Sequence, residues 1–144
     1  MLQIKLFFVL LALLSISSCE KKATEMITPK DAAAKFSEFI AKEKFVQATN
    51  YPGIADEKMR PIYNVLLNKV ATDFKNVSES EKPTDLMYQE KIKIGLLQFA
   101  PHYLDLDTED REQVCSYFEE LMDIVALENS DGQLNNFMYG FDPK

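Results

Sequence analysis

Apolar residues recur every three to four positions along most of the chain, the spacing expected of amphipathic helices. A first helix is predicted from a cap at Thr28 and Pro29 to near Lys44, with Asp31 completing a capping box. A loop from 45 to 55 should separate it from a second helix whose stripe predicts one buried face. The stripe contains Met59, Ile62, Tyr63, Leu66, Leu67, Val70 and Phe74.

Three further helices follow a polar connector at 76–83. Thr84 is predicted to cap the third, Asp107 the fourth, and Ser130 a short last helix through a capping box with Gln133. The sequence therefore predicts an all-α fold, a bundle of four main helices plus a short C-terminal helix. The third helix should bury Tyr88, Ile92, Leu96 and Phe99, and the fourth Val114, Cys115, Phe118, Leu121, Met122 and Val125.

The N-terminus has a different pattern. A predominantly apolar run from Leu6 to Ile16 follows Lys5, a layout typical of a secretory signal and too short for the roughly 20 residues of a spanning helix. The run ends in Ile16-Ser17-Ser18-Cys19, which resembles a bacterial lipoprotein lipobox. An uncleaved anchor and an ordinary signal peptide that ends near a cysteine are the alternatives.

The lipobox resemblance implies cleavage before Cys19, a diacylglycerol on its sulfur and a further acyl chain on the new amino group. Two or more acyl chains anchor a protein stably in a membrane. The expected organisation is a signal peptide at 1–18, a flexible lipidated tether at 19–27 and a helical domain at 28–144. Glu20 stands where the best-known inner-membrane retention signal has aspartate, which favours the outer membrane of the cell envelope over the inner membrane.

Charge and cysteine content narrow the function classes. Loss of Lys5 with the signal lowers the basic residues from 16 to 15 against 23 acidic ones, so the mature chain carries about −8. This balance disfavours nucleic acid, which requires clustered lysine and arginine. If Cys19 is acylated, Cys115 has no cysteine partner within the chain, and its place on an apolar helix face predicts a buried free thiol.

Few residues suggest chemistry. The chain has one dense acidic cluster, formed by Asp105, Asp107, Glu109 and Asp110. It does not fit a calcium-binding loop, because Asp110 stands where that loop needs glycine and Ser116 where it needs a glutamate ligand. Capping of the fourth helix explains the cluster better. A zinc site is disfavoured because His102 is the single histidine. A Cys115–His102 nucleophile pair is possible by spacing, but an apolar-face cysteine is usually unreactive. We therefore expect no catalytic, cofactor or metal residues and no enzymatic activity.

Several short elements in residues 108–141 form a familiar set. They are Asp110-Arg111-Glu112, Val114-Cys115, the run from Glu120 to Ile124, Ser130-Asp131-Gly132 and Tyr139-Gly140-Phe141. With these elements, the segment resembles the C-terminal half of a family of short bacterial proteins known only as a domain of unknown function. This resemblance implies a helical fold and assigns no activity.

Two function classes remain. The first is a non-catalytic interaction module, anchored to the membrane through its lipid, that binds another envelope protein as an accessory or immunity-type partner. Tyr139 and Phe141 are its candidate contact surface, since aromatic side chains near a chain end are placed to stay exposed. The alternative is a small-ligand-binding protein or enzyme with a pocket between helices, lined by residues such as Tyr63, Tyr88, Met122 and Met138.

Overall fold

The computed structural model describes residues 21–140, and this part of the chain is all-α, as the spacing predicts. Its β-pairing is limited to two isolated bridges, Glu25 with Thr84 and Ala48 with Tyr51. Short 3₁₀ turns precede the second helix and follow the third. The helices are α1 Ala32–Ala41, α2 Arg60–Ser78, α3 Asp85–Gln98, α4 Thr108–Ile124 and α5 Gln133–Tyr139.

Helix α2 lies between α1 and α3 and supplies much of the core. Contacts between the rings of Tyr63 and Phe99, and of Phe74 and Tyr88, show that α2 and α3 run antiparallel. The predicted apolar stripe of α2 is buried along most of its length. Ile62 is the exception, with 43% of its surface exposed, because it lies beside the buried stripe and not on it.

Gly95 allows α3 to approach its neighbours closely. A Cβ added at this position would lie 2.6 Å from Val70 Cγ2 on α2 and 2.9 Å from ring carbons of Phe118 on α4. No side chain larger than hydrogen fits at these distances. This glycine therefore fixes how tightly α3 packs into the bundle.

Two predicted caps are present. The Thr84 side chain accepts a hydrogen bond from the Met87 amide, and the Asp107 side chain accepts one from the Asp110 amide. These bonds satisfy amides that the first helical turn leaves without partners.

The other predicted boundaries need correction. Helix α1 begins at Ala32, and the Thr28 hydroxyl donates instead to the Ser78 carbonyl. Helix α2 extends to Ser78, because Val77 belongs to its buried face and prolongs the helix into the predicted connector. Gly132, with φ of 74°, precedes α5. The Ser130 hydroxyl accepts from the Leu134 amide at 3.4 Å, but the Gln133 side chain donates to the Gln89 carbonyl, so the full capping box does not form.

The segment 21–28, here called the strap, is held against the bundle. The Thr24 amide donates to Asp85 Oδ1 over 2.7 Å, and the Met26 amide donates to the Pro83 carbonyl over 2.8 Å. Lys21 forms an ion pair with Asp131, in the turn before α5. The expectation of a flexible tether is therefore wrong for residues 21–27, since backbone pairing with the start of α3 holds this segment in place.

Between residues 21 and 140, no helix is long and apolar enough to cross a membrane. The apolar run and Cys19, on which the lipobox prediction depends, lie outside the described residues.

Candidate functional surfaces

A buried carboxylate ties the loop before α2 to the start of α4. Asp110 is only 1% exposed, and its two oxygens accept hydrogen bonds from the Tyr51 hydroxyl at 2.5 Å and the Ala55 amide at 3.2 Å. Burial and the Asp110 carboxylate raise the pKa of Tyr51 far above its usual value, so the phenol stays a donor. The prediction that Asp110 only caps a helix is therefore incomplete, because Asp110 holds a loop in place.

A second loop contact involves Lys44, whose side chain is buried. Its ammonium donates to the carbonyls of Phe39 and Lys42 and to Asn68 Oδ1, at 2.7 to 3.1 Å. It also lies 4.5 Å from the centre of the Phe39 ring, a favourable cation–π distance. Burial lowers the pKa of Lys44 to about 8. The side chain thus satisfies carbonyls at the C-terminal end of α1, a structural use of a buried cation.

Neither role was expected from the sequence. Asp110 lies four residues before Val114 and seven before Tyr117, so helical spacing places it on the buried face. This spacing alone could have shown that Asp110 is buried. Lys44 has no comparable signal, because its acceptors come from the end of α1 and from α2.

The structure does not bring the two candidate nucleophile residues together. The Cys115 thiol is buried and donates to the Leu134 carbonyl at 3.7 Å, which confirms the predicted buried free thiol. Burial raises its pKa to about 12, so the thiolate is scarce near neutral pH. The His102 ring instead packs edge-on against Tyr63, with ring centres 5.6 Å apart.

A cleft of about 700 Å³ opens between α3 and α5. This volume is within the range of small-molecule sites. It does not coincide with the predicted pocket, because Tyr63 and Tyr88 are packed into the core. The cleft is lined by the apolar Leu86, Leu96 and Leu97, the amides Gln89, Gln133 and Asn136, and the charged Glu90, Lys93 and Asp131.

The end of the bundle where α5 stops exposes two large apolar side chains. Tyr139 is 79% exposed and Leu104 is 86% exposed. Phe141, the other predicted contact residue, lies outside the described residues. Within residues 21–140 there is no group of three histidine, cysteine or carboxylate side chains arranged to hold a metal ion.

These features define a small all-α domain with a surface cleft at one side and two exposed apolar side chains at one end. A model of the family described as domain of unknown function DUF4844 matches residues 27–142. The chain belongs to this family.

A solved structure supports the same fold. The chain is similar to the crystal structure of a DUF3571 family protein from Acinetobacter baumannii AYE, with 32% sequence identity and a TM-score of 0.68. The similarity covers 76% of this chain and 89% of that one. No curated protein matches the chain. The comparisons thus extend the resemblance of residues 108–141 to nearly the whole described chain, without assigning an activity.

Proposed function

We propose that this protein is a lipid-anchored helical domain of the bacterial cell envelope that binds another envelope protein and is not an enzyme. The lipid is attached at Cys19, and the anchor lies in the outer membrane. The apolar run before Cys19 and the small residues Ser17 and Ser18 support lipidation, because this is the pattern of a lipoprotein signal.

The observation that carries the proposal is the docked strap. Its pairing with Pro83 and Asp85 holds the chain against the bundle to within a few residues of Cys19. An anchored domain would therefore stay close to the membrane surface, whereas a free tether would let it move away. A domain confined to one place in the envelope is suited to docking with a protein partner, and a freely diffusing small substrate gains nothing from this confinement.

Anchoring is tested by replacing Cys19→Ser and separating membranes from soluble protein. The expected result is that the wild-type protein sediments with membranes and the variant becomes soluble or remains unprocessed. A matched Cys115→Ser variant should stay with the membrane, because that thiol is buried. Unchanged membrane association of Cys19→Ser would contradict lipid anchoring.

Partner binding is tested by cross-linking the C-terminally tagged, lipidated protein in its own cells, with Cys19→Ser as the comparison. The expected result is one protein recovered in near-equal amount with the anchored form. Recovery of no protein partner would contradict the interaction module.

The cleft between α3 and α5 favours a second candidate function, the binding of a small ligand. Its leucine side chains and three amide side chains would suit a compact ligand with both apolar and hydrogen-bonding groups. Chemical-shift mapping with small compounds that carry both apolar and amide groups tests this function, since binding should perturb Leu97 and Asn136, and Leu97→Glu should abolish the effect.

A further inference from the structure

Polar contacts at the protein surface hold the strap in place. Besides the bonds donated by the Thr24 and Met26 amides, the Asp85 amide donates to the Thr24 carbonyl at 3.0 Å. The strap's other attachment is the ion pair of Lys21 with Asp131, whose side chains are 60% and 46% exposed. Ion pairs this exposed contribute little to stability.

The strap also buries little apolar surface. The side chains of residues 21–25 are exposed, and Ile27 is 92% exposed. Met26 is the apolar side chain of the strap that packs, partly buried, against the core. Because apolar burial is the main favourable term in folding, a segment that buries so little can open at low cost.

The bundle does not depend on the strap. Asp85 Oδ1 also accepts from the Leu86 amide at 2.8 Å, so this carboxylate keeps a partner when the strap leaves. The bond from the Thr28 hydroxyl to the Ser78 carbonyl ties the end of the strap to α2, which places the hinge just before Thr28. The family match begins at residue 27, so residues 21–26 lie outside the part of the chain that defines the family.

We propose that the strap is a releasable clasp, which opens and recloses while the bundle stays folded and so sets how far the anchored domain can move from the membrane. With the strap docked, two residue steps link Lys21 to Cys19, a reach of about 7 Å. With the strap released as far as Thr28, nine steps link the bundle to Cys19, a reach of about 30 Å. The change in reach rests on the proposed function, because it requires the lipid at Cys19, whereas the opening does not.

Opening is tested by hydrogen exchange, followed by NMR on the lipidated protein in lipid nanodiscs. The Thr24 and Met26 amides should exchange roughly ten-fold or more faster than amides in the middle of α2, as expected for local opening. Low urea should hardly accelerate this exchange, because the opening exposes little surface. Strap amides that exchange at the rate and with the urea dependence of α2 would show that the strap opens only when the bundle unfolds, and would overturn the proposal.

A reversible disulfide provides a matched control. Glu25 and Thr84 pair across an antiparallel bridge, so cysteines at these two positions should form a disulfide, and the buried Cys115 does not compete. Trypsin cleavage after Lys21 or Lys22 reports the released fraction, because a protease attacks the transiently opened segment. The oxidised Glu25→Cys, Thr84→Cys protein should be cut several-fold more slowly than the same protein after reduction. Equal rates would contradict the clasp.

The two acceptor side chains are tested separately. Asp85→Ala removes the acceptor of the Thr24 amide and should speed cleavage several-fold, with unchanged circular dichroism. Asp131→Asn should have a smaller effect, since it removes a surface ion pair while keeping a residue that tolerates the left-handed φ of 59°. Asp123→Asn, exposed on α4, is the matched control and should cleave at the wild-type rate. A wild-type rate for Asp85→Ala would contradict the proposal.

Neutron reflectometry on a supported bilayer tests the reach. The oxidised double-cysteine protein should form a layer directly against the headgroups, whereas Asp85→Ala with Asp131→Asn should extend further from them. Equal layer thickness would contradict control of the reach. If fractionation of Cys19→Ser contradicts the lipid anchor, the exchange and cleavage experiments on that variant still decide whether the clasp opens.

Discussion

At the scale of single residues, Asp110 shows how one buried carboxylate can organise a loop. The Tyr51 hydroxyl and the Ala55 amide depend on it, and an unsatisfied buried donor costs about 1–3 kcal/mol. We expect Asp110→Ala to lower the free energy of unfolding by roughly 2–4 kcal/mol, measured by urea denaturation. Glu112→Ala, on the exposed side of α4, should change it by less than about 0.5 kcal/mol. Equal effects of the two substitutions would refute the loop-holding role.

The lowered pKa of Lys44 predicts that the stability of the protein depends on pH. Its pKa is lowered from 10.5 to about 8, so between these values the folded state binds fewer protons than the unfolded state. The contribution of Lys44 to the free energy of unfolding therefore increases as the pH rises between these values. We expect the free energy of unfolding of the wild type to increase between pH 7 and about 9.5 relative to that of Lys44→Met, which lacks the titrating amine. Parallel pH profiles of the two proteins would show that Lys44 does not titrate in this range.

The role of a residue can be predicted from the sequence when its partners are close in the chain, and not when they come from distant segments. The Thr84 and Asp107 caps can be predicted from the sequence because each capped amide lies only three residues further along the chain. Helical spacing shows that Asp110 is buried, but it does not show the role of Asp110 or of Lys44, since Tyr51 and Asn68 become their neighbours only in the folded chain. For the same reason, the hydrogen bond between Tyr103 and Phe137 joins residues 34 apart in sequence.

At the scale of elements, helix packing depends on the absence of a side chain at Gly95. Gly95→Ala gains up to about 1 kcal/mol of helix propensity but forces a methyl group against Val70 and Phe118. We expect a net loss of roughly 1–2 kcal/mol in the free energy of unfolding, measured by urea denaturation. Lys93→Ala, exposed on the same helix, should be neutral within about 0.5 kcal/mol. A stabilised Gly95→Ala would show that the helices can move apart without cost.

Helical spacing predicts all five helices, since each has a buried face that recurs at 3.6 residues. Boundaries are less predictable because competing local contacts decide them. Gly132 adopts a left-handed conformation before α5, while the Gln133 side chain donates to the Gln89 carbonyl on α3. The strap is the largest omission, because a polar sequence does not predict pairing that depends mainly on backbone atoms and Asp85.

At the scale of the whole molecule, the Cys115 thiol reports on global unfolding. It is buried in the core that α4 and α5 share, and its pKa is raised to about 12. In the Cys19→Ser variant, where it is the single cysteine, we expect thiol-reactive dyes to label it negligibly in native buffer and fully in concentrated urea. Labelling and circular dichroism should give the same urea midpoint. Rapid labelling of the native protein would mean that α5 opens locally from α4.

The docked strap also limits the distance from the membrane at which an anchored domain could meet a partner. Only Glu20 stands between Lys21 and Cys19, and two residue steps reach at most about 7 Å, so an anchored domain rests almost on the lipid headgroups. The whole domain would then stay within about 30 Å of the bilayer, roughly the length of α2. A partner would therefore have to meet it close to the membrane surface.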